Sequence, residues 1–203
     1  MNELERELYG IVEAISRSDT PIIFKGAIIT KLVLSENNYT EIERGTKDID
    51  ANWVNGKPLP ENIADSVTKA MQDSGLDYNA VLYRPYGEHK STGLHIYRND
   101  SDELITKMDI DVKPLAEYSL YHYGEAEFYG ASVDQILADK IAVLSSDRLF
   151  RRSKDLVDVF ALSRCTKSTT NRIYDILKKS NKHLDDFNAF SNRTEELEHA
   201  YNL

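Results

Sequence analysis

Residues 46–50 read Thr46-Lys47-Asp48-Ile49-Asp50, and acid alternates with apolar along them. Side chains on a β-strand point alternately to its two faces. Asp48 and Asp50 then share one face with Asn52, while Ile49, Ala51 and Trp53 share the other, where a core can take them. Two adjacent carboxylates repel, and a stable fold gains nothing from pairing them. A divalent cation removes that objection, because Mg²⁺ takes hard oxygen ligands, usually one or two carboxylates plus substrate phosphates. A strand with an acid face and an apolar face is a candidate metal–nucleotide site.

A second segment repeats the pattern. In Lys107-Met108-Asp109-Ile110-Asp111-Val112, Met108, Ile110 and Val112 fall on one face, with Lys107, Asp109 and Asp111 on the other. Solvent-facing residues of a half-exposed sheet account for either strand alone. Two such strands in one sheet bring three or four carboxylates together, enough for two Mg²⁺ ions about 3.5–4 Å apart. Phe24-Lys25-Gly26-Ala27 reads as a strand–turn–helix junction. Glycine lets backbone approach a ligand, and a helix N-terminus offers free N–H groups to phosphate.

Around these segments the chain alternates helical and extended patterns. Leu4, Leu8, Ile11, Val12 and Ile15 predict a helix over 3–16, ended by Pro21. Residues 22–24 predict a buried strand, and Ile28, Ile29, Leu32 and Val33 a second helix, with a polar loop over 35–47. Pro58 and Pro60 open a third helix carrying Ile63, Val67, Ala70 and Met71, with Gly75 suited to its C-terminal cap. Strands are expected over 78–83, 93–97 and 104–112, and one or two more within 118–129. From Ser132 onward the pattern is helical. A boundary near Gly130-Ala131-Ser132 divides an α/β part, 1–131, from a helical part, 132–203.

The helix expected over 132–145 carries Val133, Ile136, Leu137, Ile141 and Leu144 as an apolar stripe, and Lys140 falls within or beside it. A lysine there either snorkels to water or reaches a buried anion. Asp155 lies in the first turn of the next helix, with Ser153 a candidate N-cap, where the helix dipole alone favours a carboxylate.

Composition excludes several classes of protein. At 203 residues, 41% hydrophobic and 29% charged, the chain has the make-up of a soluble globular protein. No apolar run approaches the roughly 20 residues that span a bilayer. The start, Met1-Asn2-Glu3-Leu4-Glu5-Arg6-Glu7, lacks a signal peptide's basic and apolar regions. Cys165 stands alone, so no internal disulfide forms, and a small, partly buried side chain is its expected role. These features point to the cytoplasm. His89, His95, His122, His183 and His199 show no zinc-ligand spacing. Of the net charge of −9, residues 1–130 hold −10 (13 Lys+Arg against 23 Asp+Glu) and residues 131–203 hold +1 (12 against 11). Residues 148–182 hold ten bases and three acids, either a solvated basic face or a surface for a polyanion.

Four of these pieces together resemble the AbiEii/AbiGii-type nucleotidyltransferase toxins of the DNA polymerase β-like nucleotidyltransferase superfamily. They are Phe24-Lys25-Gly26-Ala27, Thr46-Lys47-Asp48-Ile49-Asp50, Lys107-Met108-Asp109-Ile110, and Ile136-Leu137-Ala138-Asp139-Lys140 followed by Arg151-Arg152-Ser153-Lys154-Asp155-Leu156-Val157-Asp158. The order and spacing span residues 22 to about 162. The resemblance implies an α/β (α+β) fold, a nucleotidyltransferase core of mixed sheet flanked by helices, with a helical subdomain completing the active site. It implies Asp48, Asp50 and Asp109 as metal ligands for two Mg²⁺ ions, Asp109 doubling as candidate general base. Lys25, Gly26, Ala27, Thr46 and Lys140 are implied against the nucleotide phosphates, with Asp155 completing the site beside Lys140. The implied reaction moves a nucleoside monophosphate from an NTP to a hydroxyl acceptor. The implied role is the toxin of a toxin–antitoxin or phage-defence pair, in some members through addition to the tRNA 3′ end. The basic 148–182 segment suits an RNA acceptor, and a cognate antitoxin is an expected partner.

The chain departs from the family pattern in two places. Ala27 and Ile28 stand where many relatives carry a second glycine and a hydroxyl residue. Asp111 competes with Asp109 for the third-ligand role. A small-molecule nucleotidyltransferase and a catalytically silent binding module remain open as alternative readings.

Overall fold

A computed structural model describes residues 3–39, 41, 45–86, 91–124, 126–146 and 152–201. The described chain runs α1 (Glu3–Ser16), β1 (Ile22–Lys25), α2 (Gly26–Glu36), β2 (Asp48–Trp53), α3 (Pro60–Asp73), β3 (Tyr78–Arg84), β4 (Ser91–Arg98), β5 (Leu104–Asp111), β6 (Tyr118–Tyr123) and β7 (Ala126–Ala131). Five helices follow: α4 (Val133–Leu144), α5 (Ser153–Cys165), α6 (Thr170–Lys179), α7 (Asn188–Asn192) and α8 (Thr194–Tyr201). The chain divides into two compact units. One comprises Met1–Ile29, Arg44–Lys113 and Tyr118–Ala131, the other Thr30–Glu43, Pro114–Glu117 and Ser132–Leu203.

The first unit holds a seven-stranded mixed sheet in the order β3-β4-β5-β2-β1-β7-β6. β2 runs parallel to β5 and β1 parallel to β7, while the other neighbours are antiparallel. The apolar half of the β2 and β5 alternation faces the core: Ile49, Ala51, Met108 and Ile110 are fully buried. With them lie Leu8, Ile11, Val12 and Ile15 of α1 and Ile63, Val67 and Met71 of α3, all nearly inaccessible to solvent. Burying a side chain of this size is worth about 1.5–3 kcal/mol. The 3.6-residue stripes on α1 and α3 and the period-two stripes on the strands thus close on the same core.

Local signals place the element ends. Pro60 sits at the first position of α3, where its missing N–H costs nothing. Gly75 follows that helix with φ +83°, its N–H bonded to the Gln72 carbonyl at 2.9 Å. Residues 118–129 form two strands joined as a hairpin, with Leu120 opposite Tyr129. Strand β4 begins two residues before the expected 93, at Ser91.

In the second unit α4 packs against α5 and α6, and α5 against α8. Ser132 caps α4, its side chain accepting the Gln135 N–H at 3.1 Å. The expectation that Ser153 caps α5 is corrected: the helix begins one residue earlier, so Arg152 is the N-cap and Ser153 is already helical and buried. Parts of the polar loop expected over 35–47 and of the segment before α5 lie outside the described residues.

Candidate active site

The in-register pairing of five strands builds one polar row. From the sheet edge inward, Arg84 of β3 lies opposite Gly93 of β4, Gly93 opposite Asp109 of β5, Asp109 opposite Asp50 of β2, and Asp50 opposite Lys25 of β1. Paired residues on adjacent strands share a face, so the Asp50 and Asp109 side chains are neighbours on strands about 4.8 Å apart. Asp48 lies two residues along β2, on the same face and exposed, opposite Lys107. Asp111 lies one row further on, opposite Asn52.

Gly26 is required at the edge of this row for two reasons. Its φ is +66°, a left-handed conformation that a side chain disfavours. A Cβ there would also meet the Asp50 carboxylate, with Asp50 Cβ and Cγ both 2.9 Å away. The turn into α2 therefore brings backbone directly against this acid, and Ala27 follows in the first turn. Thr46 is buried, and its hydroxyl donates to the Asp48 carbonyl at 2.9 Å, shaping the entry to β2.

The acids of β5 carry counter-ions. Lys25 Nζ sits 2.6 Å from Asp111 Oδ2. Arg84 Nη2 sits 2.6 Å from Asp109 Oδ1, and the Tyr83 hydroxyl donates to the same oxygen at 3.3 Å. A register shift between Leu82 and Arg84 turns these β3 side chains toward β5. Gly93 leaves the way clear, since a Cβ at that position would lie 2.6 Å from the Tyr83 ring. The ring stacks on His95 with centroids 4.0 Å apart. Burial first and the Asp109 charge second push the Tyr83 phenol above its ordinary pKa, so it stays a neutral donor.

The donor set on this face suits a hard cation: carboxylate oxygens of Asp48, Asp50 and Asp109. The amide oxygen of buried Asn52 has no hydrogen-bond partner among the described residues. Among the described residues no three His, Cys, Asp or Glu side chains are gathered closely enough to hold an ion, and Asp109 Oδ1 faces a guanidinium.

The second unit holds a separate cluster. Lys140 Nζ of α4 lies 2.9 Å from Asp155 Oδ1 and 2.8 Å from Asp158 Oδ2, both on α5. Arg152 Nη1 reaches Asp155 Oδ2 at 3.2 Å. Burial pulls the Lys140 pKa down, but Asp155 and Asp158 outweigh it and hold it above the ordinary value of 10.5. Of the two courses open to this lysine, the side chain takes the buried anions.

The structure thus places Lys25, Gly26, Ala27, Thr46, Asp48, Asp50 and Asp109 in the first unit, along one strand face and the turn beside it. Lys140 and Asp155 stand together in the second. Sequence reasoning missed Tyr83, Arg84 and Gly93, whose roles depend on a bulge and a non-local register. It quoted Asp158 within the resemblance but gave it no role, although the Asp155-x-x-Asp158 spacing, one helical turn, was a usable signal. Within the basic segment, Arg152, Arg172 and Lys182 are ion-paired, Arg172 to Glu117 and Asp134, and Lys182 to Asp139. Arg148 and Arg151 lie outside the described residues. Burial pushes the Cys165 thiol up, away from nucleophilic use.

A profile described as nucleotidyl transferase AbiEii toxin, type IV toxin–antitoxin system, matches residues 10–200. The chain belongs to the AbiEii nucleotidyl transferase toxin family. No curated sequence matches it. Two solved structures share the fold of this AbiEii member. An antigenic nucleotidyltransferase-like protein from Paracoccidioides brasiliensis aligns with a TM-score of 0.55 at 14% identity, over 94% of this chain and 97% of that one. MenT4, a nucleotidyltransferase toxin of Mycobacterium tuberculosis, aligns with a TM-score of 0.54 at 14% identity, over 84% of this chain and 60% of MenT4. The AbiEii chain is therefore a nucleotidyltransferase-fold protein with a seven-stranded mixed sheet flanked by helices. Among the described residues no helix is long and apolar enough to cross a membrane.

Proposed function

We propose that this toxin transfers a nucleoside monophosphate from an NTP to a hydroxyl of an RNA acceptor, the tRNA 3′ end being the foremost candidate. The observation that carries the reading is the register of β2 with β5, which sets Asp50 beside Asp109 and puts Asp48 on the same face. Asp48, Asp50 and Asp109 are the residues that would hold Mg²⁺. When bound, two such ions supply the charge that stabilises the attacking and leaving oxygens of an in-line displacement.

The chain's own residues do the rest. Asp109 takes the proton of the acceptor hydroxyl as its oxygen bonds to the α-phosphorus. The bond from that phosphorus to the bridging oxygen breaks, and pyrophosphate leaves with the electron pair. Lys25, Thr46 and the backbone at Gly26 and Ala27 hold the triphosphate. Lys140, held by Asp155 and Asp158 within the helical unit, is the candidate point charge for a phosphate oxygen. The remaining bases of 148–182 support a polyanionic acceptor. The family's toxin–antitoxin description supports a cognate antitoxin as partner, and the proposed setting is a cytoplasmic toxin acting in phage defence.

The test incubates the protein with each α-labelled NTP, Mg²⁺ and total cellular RNA. Labelled RNA from the wild type and none from Asp50→Ala is the expected pair. Equal labelling by the variant contradicts the assignment, and labelling of small metabolites without RNA moves the acceptor to a small molecule.

A further inference from the structure

Arg84, unlike Lys25, has no task in the reading above, yet it is paired to a carboxylate that this reading gives to the metal. The bulge between Leu82 and Arg84 re-aims the end of the edge strand β3. Gly93, on the strand between, has no side chain to obstruct the path. Arg84 thereby reaches two strands inward and sets its guanidinium 2.6 Å from Asp109 Oδ1. The Tyr83 hydroxyl reinforces the hold on that oxygen at 3.3 Å, its ring braced by His95. Among the described residues both contacts fall on Oδ1. Both partners of the ion pair are about half exposed, Arg84 at 46% and Asp109 at 45%, so water and solutes reach it from outside. Asp111, the next acid along β5, is held instead by Lys25.

We infer that Arg84 is a positioning residue that competes with the divalent cation for Asp109. It is a resident counter-ion that fixes the carboxylate when no metal is bound and yields the oxygen when one arrives. The inference rests on Asp109 being a metal ligand. Chemically, a carboxylate oxygen has limited room for a guanidinium and a hard divalent ion at once, and the ion makes the stronger claim on it. A half-exposed ion pair is weak enough to be displaced, and the Tyr83 ring, its centroid 5.8 Å from the guanidinium carbon, gives the departing side chain a surface to rest on.

Mn²⁺ titration by calorimetry, without nucleotide or acceptor, tests this on the intact chain. Arg84→Ala and Arg84→Gln should bind Mn²⁺ about two- to five-fold more tightly than the wild type, the range set by losing a half-exposed competing ion pair. In an Asp109→Asn background the Arg84 substitution should leave Mn²⁺ affinity unchanged, because the competition acts through that carboxylate alone. A general loss of positive charge would persist in that background, and its persistence overturns the inference. Unchanged or weaker Mn²⁺ binding by both single variants overturns it as well, while the metal reading of the site stands. No Mn²⁺ binding by the wild type overturns both. Tyr83→Phe, which keeps the ring and removes only the hydroxyl, should move the affinity in the same direction by less.

Discussion

The two units hold carboxylate–cation clusters of opposite character. On the sheet, Arg84 and Asp109 are 46% and 45% exposed. In the helical unit Lys140 is 12% exposed, Asp155 18% and Asp158 only 1%. The same chemistry does different work in the two settings. Water screens the sheet pair, so it contributes little to stability and can be exchanged for another ligand. The helical cluster is largely shielded from water, Asp158 almost completely, and each charge there depends on its partners remaining. The proposed reaction asks the sheet face for the first kind, acids that can be re-partnered.

That contrast can be broken most forcefully at Asp158. Asp158→Ala leaves Lys140 short of a partner in a buried place and should cost about 3–5 kcal/mol in chemical denaturation. A loss below about 1 kcal/mol, the level of an exposed pair, would erase the distinction between the clusters. Gly26→Ala should come next. A forced left-handed φ costs about 1–3 kcal/mol, and the added methyl also runs into Asp50. Urea unfolding reads the stability, and NTP-dependent labelling should fall with it. A fully stable, active Gly26→Ala protein would mean that the turn is not held against the acid.

Lys140 sharpens the comparison through pH. Its folded pKa lies above the ordinary 10.5. The stability it contributes is therefore fully present below that value and is lost only as pH rises through the folded value. The destabilisation caused by Lys140→Met should accordingly be the same at pH 7 and pH 9 by thermal melts. A penalty that shrinks across that window would show a lysine already losing its proton. Arg84→Ala should have the smallest stability effect, within about 1 kcal/mol of the wild type by the same melts.

Much of the fold was legible because its periods are short-range. The period-two acid–apolar alternation at Asp48–Trp53 marked a strand with a buried back, and the stripes of α1 and α3 marked helices with one buried face. Pro60 and Gly75 marked the ends of α3 through conformations their backbones require or permit. The carboxylates Asp48, Asp50 and Asp109 were legible as same-face residues, but nothing local stated that β2 and β5 would be parallel neighbours with Asp50 opposite Asp109. The reach of Arg84 was not legible. It needs a bulge in one strand, a glycine in the next and an acid in the third, which sequence spacing cannot relate. Asp158 was legible in its spacing from Asp155, and its burial followed only from the packing of α4 on α5.

The register of β2 and β5 makes the most direct test, because it separates two acids that the sequence left in competition. Asp109 lies opposite Asp50, whereas Asp111 lies opposite Asn52 and is paired with Lys25. NTP-dependent labelling of cellular RNA should be compared in Asp109→Asn and Asp111→Asn. The prediction is a loss of about a hundredfold or more for Asp109→Asn, the scale of removing a group that stabilises transition-state charge, with activity largely retained by Asp111→Asn. Activity retained by Asp109→Asn and abolished by Asp111→Asn would contradict the account.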